Sequence, residues 1–282
     1  MRRLPEVAWQ LDGRVSTRRG EIAYEVVGEG PPVVLTHGTP SRSVVWRQVV
    51  RELARDHQVF VWDLLGFGQS EQRVQQDVGL VAHGEVLAEL IHLWDVERPI
   101  LVGHDIGGAV VLRAHLLGGV SVSGVALVDA VVLSPWITSR TRQMQREIDR
   151  WSPLPNTELA EVIAEHLRTA TARPLAPDVF AALFDQWDGE LGQALYLRNL
   201  AQFDEDHTLE IERRLPSIDV PTLILWGEDD AWLPVALSER IADLVPGAQR
   251  LVIPRAGHFC MEDQPRRVAS ALRAFCAEVA RR

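Results

Sequence analysis

ILVGHDIGGA, residues 100–109, is the most informative stretch of this sequence. An apolar run leads into Gly-x-Asp-x-Gly, and an amphipathic run, AVVLRAHLL (109–117), follows it. This order predicts a buried strand that turns sharply into a helix, because Gly103 and Gly107 allow the strand and the helix to pack closely around the residue between them. The turn would lift Asp105 clear of the sheet and place it at a helix N-terminus, where a carboxylate is stabilised as the anion.

Other short apolar runs lie on both sides of this stretch. They are PPVVLTHG (31–38), HQVFVWDLLG (57–66), GVALVDA (124–130), PTLILWG (221–227) and QRLVIP (249–254). Helical stretches, SVVWRQVVRELA (43–54) and VAHGEVLAELIHLW (81–94), separate the early runs. Strands that alternate with helices in this way predict an α/β fold with a mostly parallel sheet, flanked by helices on both faces. An earlier alternating run, GEIAYEVVG (20–28), is typical of an edge hairpin element.

The alternation of strands and helices stops in the middle of the chain. Four helical runs follow one another there without a clear strand: 140–151, 158–168, 177–187 and 192–203. We therefore expect a core domain made of residues 1–131 and 216–282, with residues 132–215 inserted as a helical cap, here called the lid. Large side chains of the lid are expected to line a pocket at the carboxyl edge of the sheet, where open α/β sheets bind ligands. The candidates for this lining are Trp136, Trp151 and Trp187.

Two segments near the C-terminus carry further reactive side chains. LILWGEDDAW (223–232) follows a predicted strand and contains Asp230, and GHF (257–259) contains His258 shortly after the last predicted strand. Nucleophile, then acid, then histidine is the chain order of the triad in α/β-hydrolases. With Asp105 at the turn, these residues predict a catalytic triad.

An oxyanion hole needs two backbone N–H groups beside the nucleophile. In a strand–turn–helix site of this kind, one donor is the residue after the nucleophile and the other lies in the loop after an earlier strand. In this chain those positions are Ile106 and Thr39, the latter in HGTP (37–40).

These features resemble the α/β-hydrolase superfamily, and within it the aspartate-nucleophile branch of epoxide hydrolases and of haloalkane and haloacid dehalogenases. The segments that carry the resemblance are HGTP (37–40), DLLGFGQS (63–70), GHDIGG (103–108), WGEDD (226–230) and GHFCMEDQP (257–265). The resemblance implies an α/β-hydrolase fold with Asp105 as nucleophile, His258 as base and Asp230 as the acid that orients it. Some haloalkane dehalogenases keep the acid at the end of an earlier strand, where this chain has Asp129, so Asp129 is the alternative acid.

An aspartate nucleophile changes the reaction. A carboxylate is ordinarily ionised at neutral pH and can displace a leaving group from a saturated carbon without a base. The product is an alkyl ester on Asp105, which water then hydrolyses with His258 as general base, while the oxyanion hole holds the charge on the aspartate oxygen. We therefore expect a small apolar epoxide or halogenated compound as substrate, with water as the second reactant. Cleavage through a serine acyl-enzyme is excluded, because no serine occupies the turn.

Dehalogenases and epoxide hydrolases differ in the residues that bind the leaving group. Haloalkane dehalogenases often hold the halide with a Trp after the nucleophile and an Asn in the HGxP loop, but this chain has Ile106 and Thr39 there. Fluoroacetate dehalogenases usually have Arg after the nucleophile, and Ile106 departs from that pattern too. Epoxide hydrolases usually supply lid tyrosines, and Tyr196 is the expected donor here, with His166 or His207 as the second. An epoxide hydrolase that converts epoxides to diols is therefore favoured, a haloalkane or haloacid dehalogenase is the alternative, and a non-catalytic ligand-binding protein is a third hypothesis.

Composition excludes other classes. The chain has 282 residues, a formal net charge of −10 and no lysine, so neither nucleic acid nor anionic lipid is an expected partner. The segment MRRLPEVAWQLDGR (1–14) lacks the apolar stretch of a signal peptide, and the longest apolar tract, 118–136, is interrupted by Asp129. Only Cys260 and Cys276 are present, so no disulfide framework is expected. We expect a cytoplasmic protein that needs no cofactor and no metal, and a homodimer is one assembly that the sequence leaves open.

Overall fold

The computed structural model describes residues 8–282, so residues 1–7 of the segment examined for a signal peptide lie outside the described residues. Within that range a single sheet of eight strands is formed. The strands are β1 (Gly13–Thr17), β2 (Gly20–Val27), β3 (Pro32–Thr36), β4 (Gln58–Trp62), β5 (Ile100–Asp105), β6 (Gly124–Ala130), β7 (Thr222–Gly227) and β8 (Gln249–Ile253). Their spatial order is β1-β2-β4-β3-β5-β6-β7-β8. The pairs β1–β2 and β2–β4 are antiparallel and all others are parallel, which confirms the predicted mostly parallel sheet.

The helices fall into two groups. Those connecting or following strands of the sheet are α1 (Arg47–Leu53), α2 (Leu80–Leu93), α3 (Ile106–Leu116), α10 (Ala236–Leu244), α11 (Cys260–Asp263) and α12 (Pro265–Val279). Those between β6 and β7 are α4 (Ser139–Arg146), α5 (Ile148–Trp151), α6 (Thr157–Arg168), α7 (Pro177–Phe184), α8 (Gly189–Ala201) and α9 (Asp206–Glu212). Within the described residues, β6 and β7 are joined by helices and loops without a strand. The inserted helical lid is therefore confirmed, whereas its exact limits at residues 132 and 215 stay a prediction.

Helices cover the sheet on both faces. Successive side chains of a strand point to opposite faces, and the buried side chains of β3 and β5 accordingly enter two separate cores. Val34 and Leu101 belong to the core beneath α2 and α3, whereas Val33 and Val102 belong to the core beneath α1 and α12. Each such side chain contributes about 1.5–3 kcal/mol of hydrophobic stabilisation. Burial on both faces explains why these strands read as continuous apolar runs.

The hydrophobic pattern does not predict strand β1. The segment 20–28 was expected at an edge, but β2 lies between β1 and β4, and β1 forms the edge. Residues Gly13–Thr17 alternate between half-buried and exposed and bury no side chain fully, so their hydrophobic signal is weak. Among residues 8–282 no helix has the length and apolar character needed to cross a membrane.

Candidate active site

Asp105 occupies a strained turn at the centre of the sheet. It ends β5, immediately precedes α3, and has φ 52° and ψ −127°, a conformation that costs a non-glycine residue about 1–3 kcal/mol. The two flanking glycines make the turn possible. A Cβ atom on Gly107 would lie 2.5 Å from the His37 carbonyl oxygen, and one on Gly103 would collide with the backbone of Gly107. The structure therefore has the sharp strand-to-helix turn expected from Gly-x-Asp-x-Gly.

The loop after β3 contacts the Asp105 carboxylate. The backbone N–H of Thr39 donates a 2.8 Å hydrogen bond to Oδ1 of Asp105. Ile106 is the first residue of α3, so its N–H has no acceptor within the helix, and among the described residues it makes no hydrogen bond to the carboxylate. Of the two expected oxyanion-hole donors, Thr39 is thus already bonded to the aspartate oxygen, and Ile106 is adjacent without being bonded.

His258 lies between two carboxylates. Its Nδ1 atom is 2.9 Å from Oδ2 of Asp230, and its Nε2 atom is 3.4 Å from Oδ2 of Asp105. Burial opposes a charged imidazole, but the negative charge of Asp230 and the nearby Asp105 outweigh it and raise the pKa of His258 to about 10. Asp230 is held on its other oxygen by the backbone N–H groups of Trp232 and Leu233, at 2.8 and 2.9 Å. Although burial disfavours its charge, the proximity of His258 lowers the pKa of Asp230.

Asp129, the alternative acid, is bonded to the protein backbone and not to His258. It is fully buried, has φ 41°, and accepts a 2.6 Å hydrogen bond from the backbone N–H of Gly227. Burial, followed by the negative charge of Asp230, raises the pKa of Asp129 well above its ordinary value. His258 makes its hydrogen bond to Asp230 and none to Asp129.

A small cavity opens on the Asp105 carboxylate. It encloses about 50 Å³, and residues of the core and of the lid line it: Thr39, Asp105, Val131, Trp136, Ile137, Thr138, Thr141, His166, Phe203, Trp232 and Leu233. Most of this lining is apolar. Sites for drug-sized ligands enclose about 300–1,000 Å³, so this cavity has room for only a few heavy atoms.

The lid donors are arranged differently from the expectation. His166 lines the cavity, whereas Tyr196, the first expected donor, does not line it and lies behind His166, with its hydroxyl 3.3 Å from His166 Nδ1. Burial, followed by the charges of His258 and Arg140, lowers the pKa of His166 to about 4. His207 does not line the cavity; its carbonyl accepts a hydrogen bond from Arg113, two turns along α3 from Asp105.

Two of the three tryptophans that were expected to line the cavity do not line it. Trp136 lines the cavity, but Trp187 donates its indole N–H to the Pro40 carbonyl at 2.7 Å and packs against Phe67. Trp151 is buried in the lid, with the Arg150 guanidinium 4.8 Å from its ring centre. Both were placed at the pocket by residue type alone, and helix packing turns them away from it.

Trp232 is a site residue that the sequence reading missed. Its ring centre lies 4.5 Å from that of His258 and 4.0 Å from that of His166. A large aromatic residue two positions after the acid was the available signal. In residues 8–282 no group of three or more His, Cys, Asp or Glu side chains is placed to hold a metal ion.

The fold and the arrangement of Asp105, Asp230 and His258 define a hydrolase of the α/β class. A family model described as alpha/beta hydrolase fold matches residues 31–265, so the chain belongs to that family. A solved α/β hydrolase fold protein from Burkholderia ambifaria is 36% identical, has a TM-score of 0.90, and the match covers 94% of this chain and 97% of that one.

Two curated relatives differ from each other in chemistry. Haloalkane dehalogenase 2 from Mycobacterium tuberculosis is 24% identical over 265 residues, covering 90% of this chain and 91% of that protein. A 2-hydroxy-6-oxo-2,4-heptadienoate hydrolase from Pseudomonas putida is 28% identical over 254 residues, covering 85% of this chain and 87% of that protein. The relatives therefore indicate a hydrolase without selecting one substrate.

Proposed function

We propose that this protein is an epoxide hydrolase that works through a covalent alkyl ester on Asp105. The observation that supports this most directly is an aspartate at the strained turn, with Thr39 N–H 2.8 Å from one carboxylate oxygen and His258 Nε2 3.4 Å from the other. This arrangement leaves a carboxylate facing a small cavity whose surface is mostly apolar. A carboxylate in that position is suited to attack an electrophilic saturated carbon.

In the first step, an oxygen of Asp105 attacks an epoxide carbon and the carbon–oxygen bond of the ring breaks. The ring oxygen leaves as an alkoxide and requires a hydrogen-bond donor on the lid side of the cavity. His166 is the residue that supplies it. The Tyr196 hydroxyl lies 3.3 Å from His166 Nδ1. In the tautomer that carries the proton on Nε2, Nδ1 accepts a hydrogen bond from this hydroxyl and Nε2 can donate to the alkoxide.

In the second step, water hydrolyses the ester. Ester formation removes the negative charge of Asp105, which is one of the two carboxylates that raise the pKa of His258. The pKa of His258 then falls, so His258 releases its proton, which neutralises the alkoxide formed from the epoxide, and Nε2 can accept a proton from water. Water attacks the ester carbonyl, whose oxygen is stabilised by the Thr39 N–H and by the N–H of Ile106, and the diol leaves as Asp105 is regenerated.

A haloalkane dehalogenase is the second candidate, because a curated relative has that name and the first step needs only a saturated carbon with a leaving group. A haloacid fits less well. Among the described residues, no arginine lines the cavity, and the chain contains no lysine, so a substrate carboxylate would have neither an arginine nor a lysine partner there.

The test uses His258→Gln, in which the ester should form and persist. We would incubate the variant with 1,2-epoxybutane or with 1-bromobutane and measure the intact protein mass. An epoxide adds its whole mass, whereas a haloalkane adds only its alkyl group, so the two chemistries give different adducts. The double variant Asp105→Asn/His258→Gln is the matched control and should remain unmodified.

An epoxide adduct that disappears in the double variant is the expected result. An alkyl adduct from the bromide alone would replace the epoxide assignment with the dehalogenase. If a panel of small epoxides and haloalkanes left no adduct on His258→Gln, the aspartate nucleophile would be wrong, and a non-catalytic ligand-binding protein would be favoured.

A further inference from the structure

Trp232 stacks against two histidines that belong to different parts of the protein. Its ring centre lies 4.5 Å from His258 with an interplanar angle of 32°, and 4.0 Å from His166 with an angle of 34°. The indole therefore packs against both the histidine of the core and the histidine of the lid.

Hydrogen bonds anchor Trp232 on both sides of the site. The indole N–H donates to Oγ1 of Thr169 at 3.0 Å, and the Thr169 hydroxyl donates to the His166 carbonyl at 2.8 Å. Thr169 is the C-cap of α6, the helix that carries His166. On the core side, the backbone N–H of Trp232 donates to Asp230. Trp232 thus contacts the acid Asp230, the base His258 and the end of the lid helix that carries His166.

The core holds His258 by additional contacts that do not involve the lid. Asp230 bonds Nδ1, and the His104 ring donates through Nε2 to the His258 carbonyl at 3.0 Å and lies 4.8 Å from the His258 ring. Among the described residues, the His166 ring has no hydrogen bond other than the one with the Tyr196 hydroxyl. Loss of Trp232 contacts should therefore displace His166 more than His258.

We propose that Trp232 is a positioning residue that fixes His166 relative to Asp105 and His258, so that the lid donor and the core base are held together at the cavity. The inference rests on the proposed function, because it assigns His166 to the leaving group. It implies that formation of the ester depends on the contacts of Trp232, whereas hydrolysis of the ester, which does not use His166, depends on them much less.

The first experiment is a double-mutant cycle across the indole–hydroxyl bond. Trp232→Phe keeps a ring against the histidines but loses the N–H, and Thr169→Val loses the acceptor. Each should slow ester formation about three- to tenfold in single-turnover mass measurements, and the double variant should be no slower than the slower single variant. Ester hydrolysis should stay within about twofold of wild type. Trp9→Phe, which removes a 2.9 Å indole bond to Ser43 between two residues that do not line the cavity, is the matched control.

The second experiment needs no substrate. The groups that face His166 are His258, Arg140, Asp105 and the Tyr196 hydroxyl, and its burial keeps its pKa at about 4. Trp232→Leu uncovers the ring, so an NMR titration should show the pKa of His166 rising by at least about one unit toward its ordinary value. Trp232→Phe should leave it close to wild type.

The outcomes separate this inference from the proposed function. Additive slowing in the double variant, equal slowing of both chemical steps, or an unchanged pKa of His166 in Trp232→Leu would each overturn the positioning role. Absence of any adduct on His258→Gln would overturn the proposed function instead, and the NMR titration would still report whether Trp232 holds His166.

Discussion

The Nε2 atom of His258 lies 3.4 Å from Oδ2 of Asp105 and, among the described residues, makes no hydrogen bond. The other ring nitrogen is bonded to Asp230, so Nε2 is the nitrogen available for proton transfer. A base at this distance from the nucleophile is close to the carbonyl carbon that an ester on Asp105 would present. A water molecule attacking that carbon would pass its proton to Nε2.

The first prediction concerns the oxygen atoms of Asp105. Because water attacks the aspartate carbonyl, turnover in heavy-oxygen water should exchange an Asp105 carboxylate oxygen for the labelled one. Peptide mass spectrometry after many turnovers of a small epoxide would detect the label in the peptide containing residues 103–108. An unlabelled Asp105 after complete conversion would mean that water attacks the substrate directly.

The two candidate acids should respond very differently to the same substitution. Asp230→Asn removes the hydrogen-bonded charge behind His258 and should lower kcat/KM by about a thousandfold. Asp129→Asn replaces a carboxyl group that accepts a bond from Gly227 and should lower it less than about tenfold. Steady-state kinetics with one epoxide would compare them. The reverse order of effects would assign the acid to Asp129.

Substitutions of Tyr196 and His207 should differ in their effect on the rate of ester formation. Tyr196→Phe removes the hydroxyl that donates to His166 Nδ1, so the donor tautomer is no longer favoured and ester formation should slow by up to about tenfold. His207→Gln should stay within about twofold of wild type, because the carbonyl, not the ring, makes its contact with Arg113. Single-turnover rates of the two variants provide the comparison, and a large effect of His207→Gln would contradict the placement of the donor.

Cavity size should limit substrate size. Phe203 lines the cavity, and the centre of its ring lies 5.2 Å from the centre of the Trp136 ring. Phe203→Ala should therefore enlarge the cavity toward the lid. We expect the ratio of kcat/KM for styrene oxide to that for propylene oxide to rise by about tenfold or more, since a few kcal/mol of steric exclusion is relieved. Phe180→Ala removes a lid phenylalanine outside the cavity and should leave the ratio unchanged. An equal change in this ratio for both variants would instead indicate that a loosened lid admits the larger substrate.

The charge on His258 should make stability depend on pH. Its pKa in the folded protein is about 10, above the ordinary 6.5. A raised pKa adds stability that is complete below about pH 6.5 and is lost as pH rises toward 10. Urea unfolding at pH 7, 8.5 and 10 should show the free energy of unfolding falling by a few kcal/mol more in wild type than in His258→Gln. Parallel curves for the two proteins would show that His258 is not charged in the folded state.

Much of the fold could be predicted from local patterns. Short apolar runs identify most of the strands, and seven of the eight strands of the described residues coincide with such runs or with the alternating run at 20–28, although β8 is mostly exposed. The turn at Asp105 was also predictable from the Gly-x-Asp-x-Gly spacing, although Gly107 is required by its close approach to the backbone of Thr36 and His37 as well. The edge strand β1 was not predictable in this way, since half of its short length faces solvent.

The sequence by itself determined that a carboxylate occupies the strained turn, and that an acid and a histidine follow it in the order of a triad. Both properties depend on neighbouring residues and on strand ends that parallel pairing must bring to one edge of the sheet. Tertiary structure alone decided that Asp230 rather than Asp129 bonds His258, that His166 stands in front of Tyr196, and that Trp232 packs against two histidines. These relationships join residues that are far apart in sequence and depend on how the lid helices pack on the core, which no local pattern of side chains encodes.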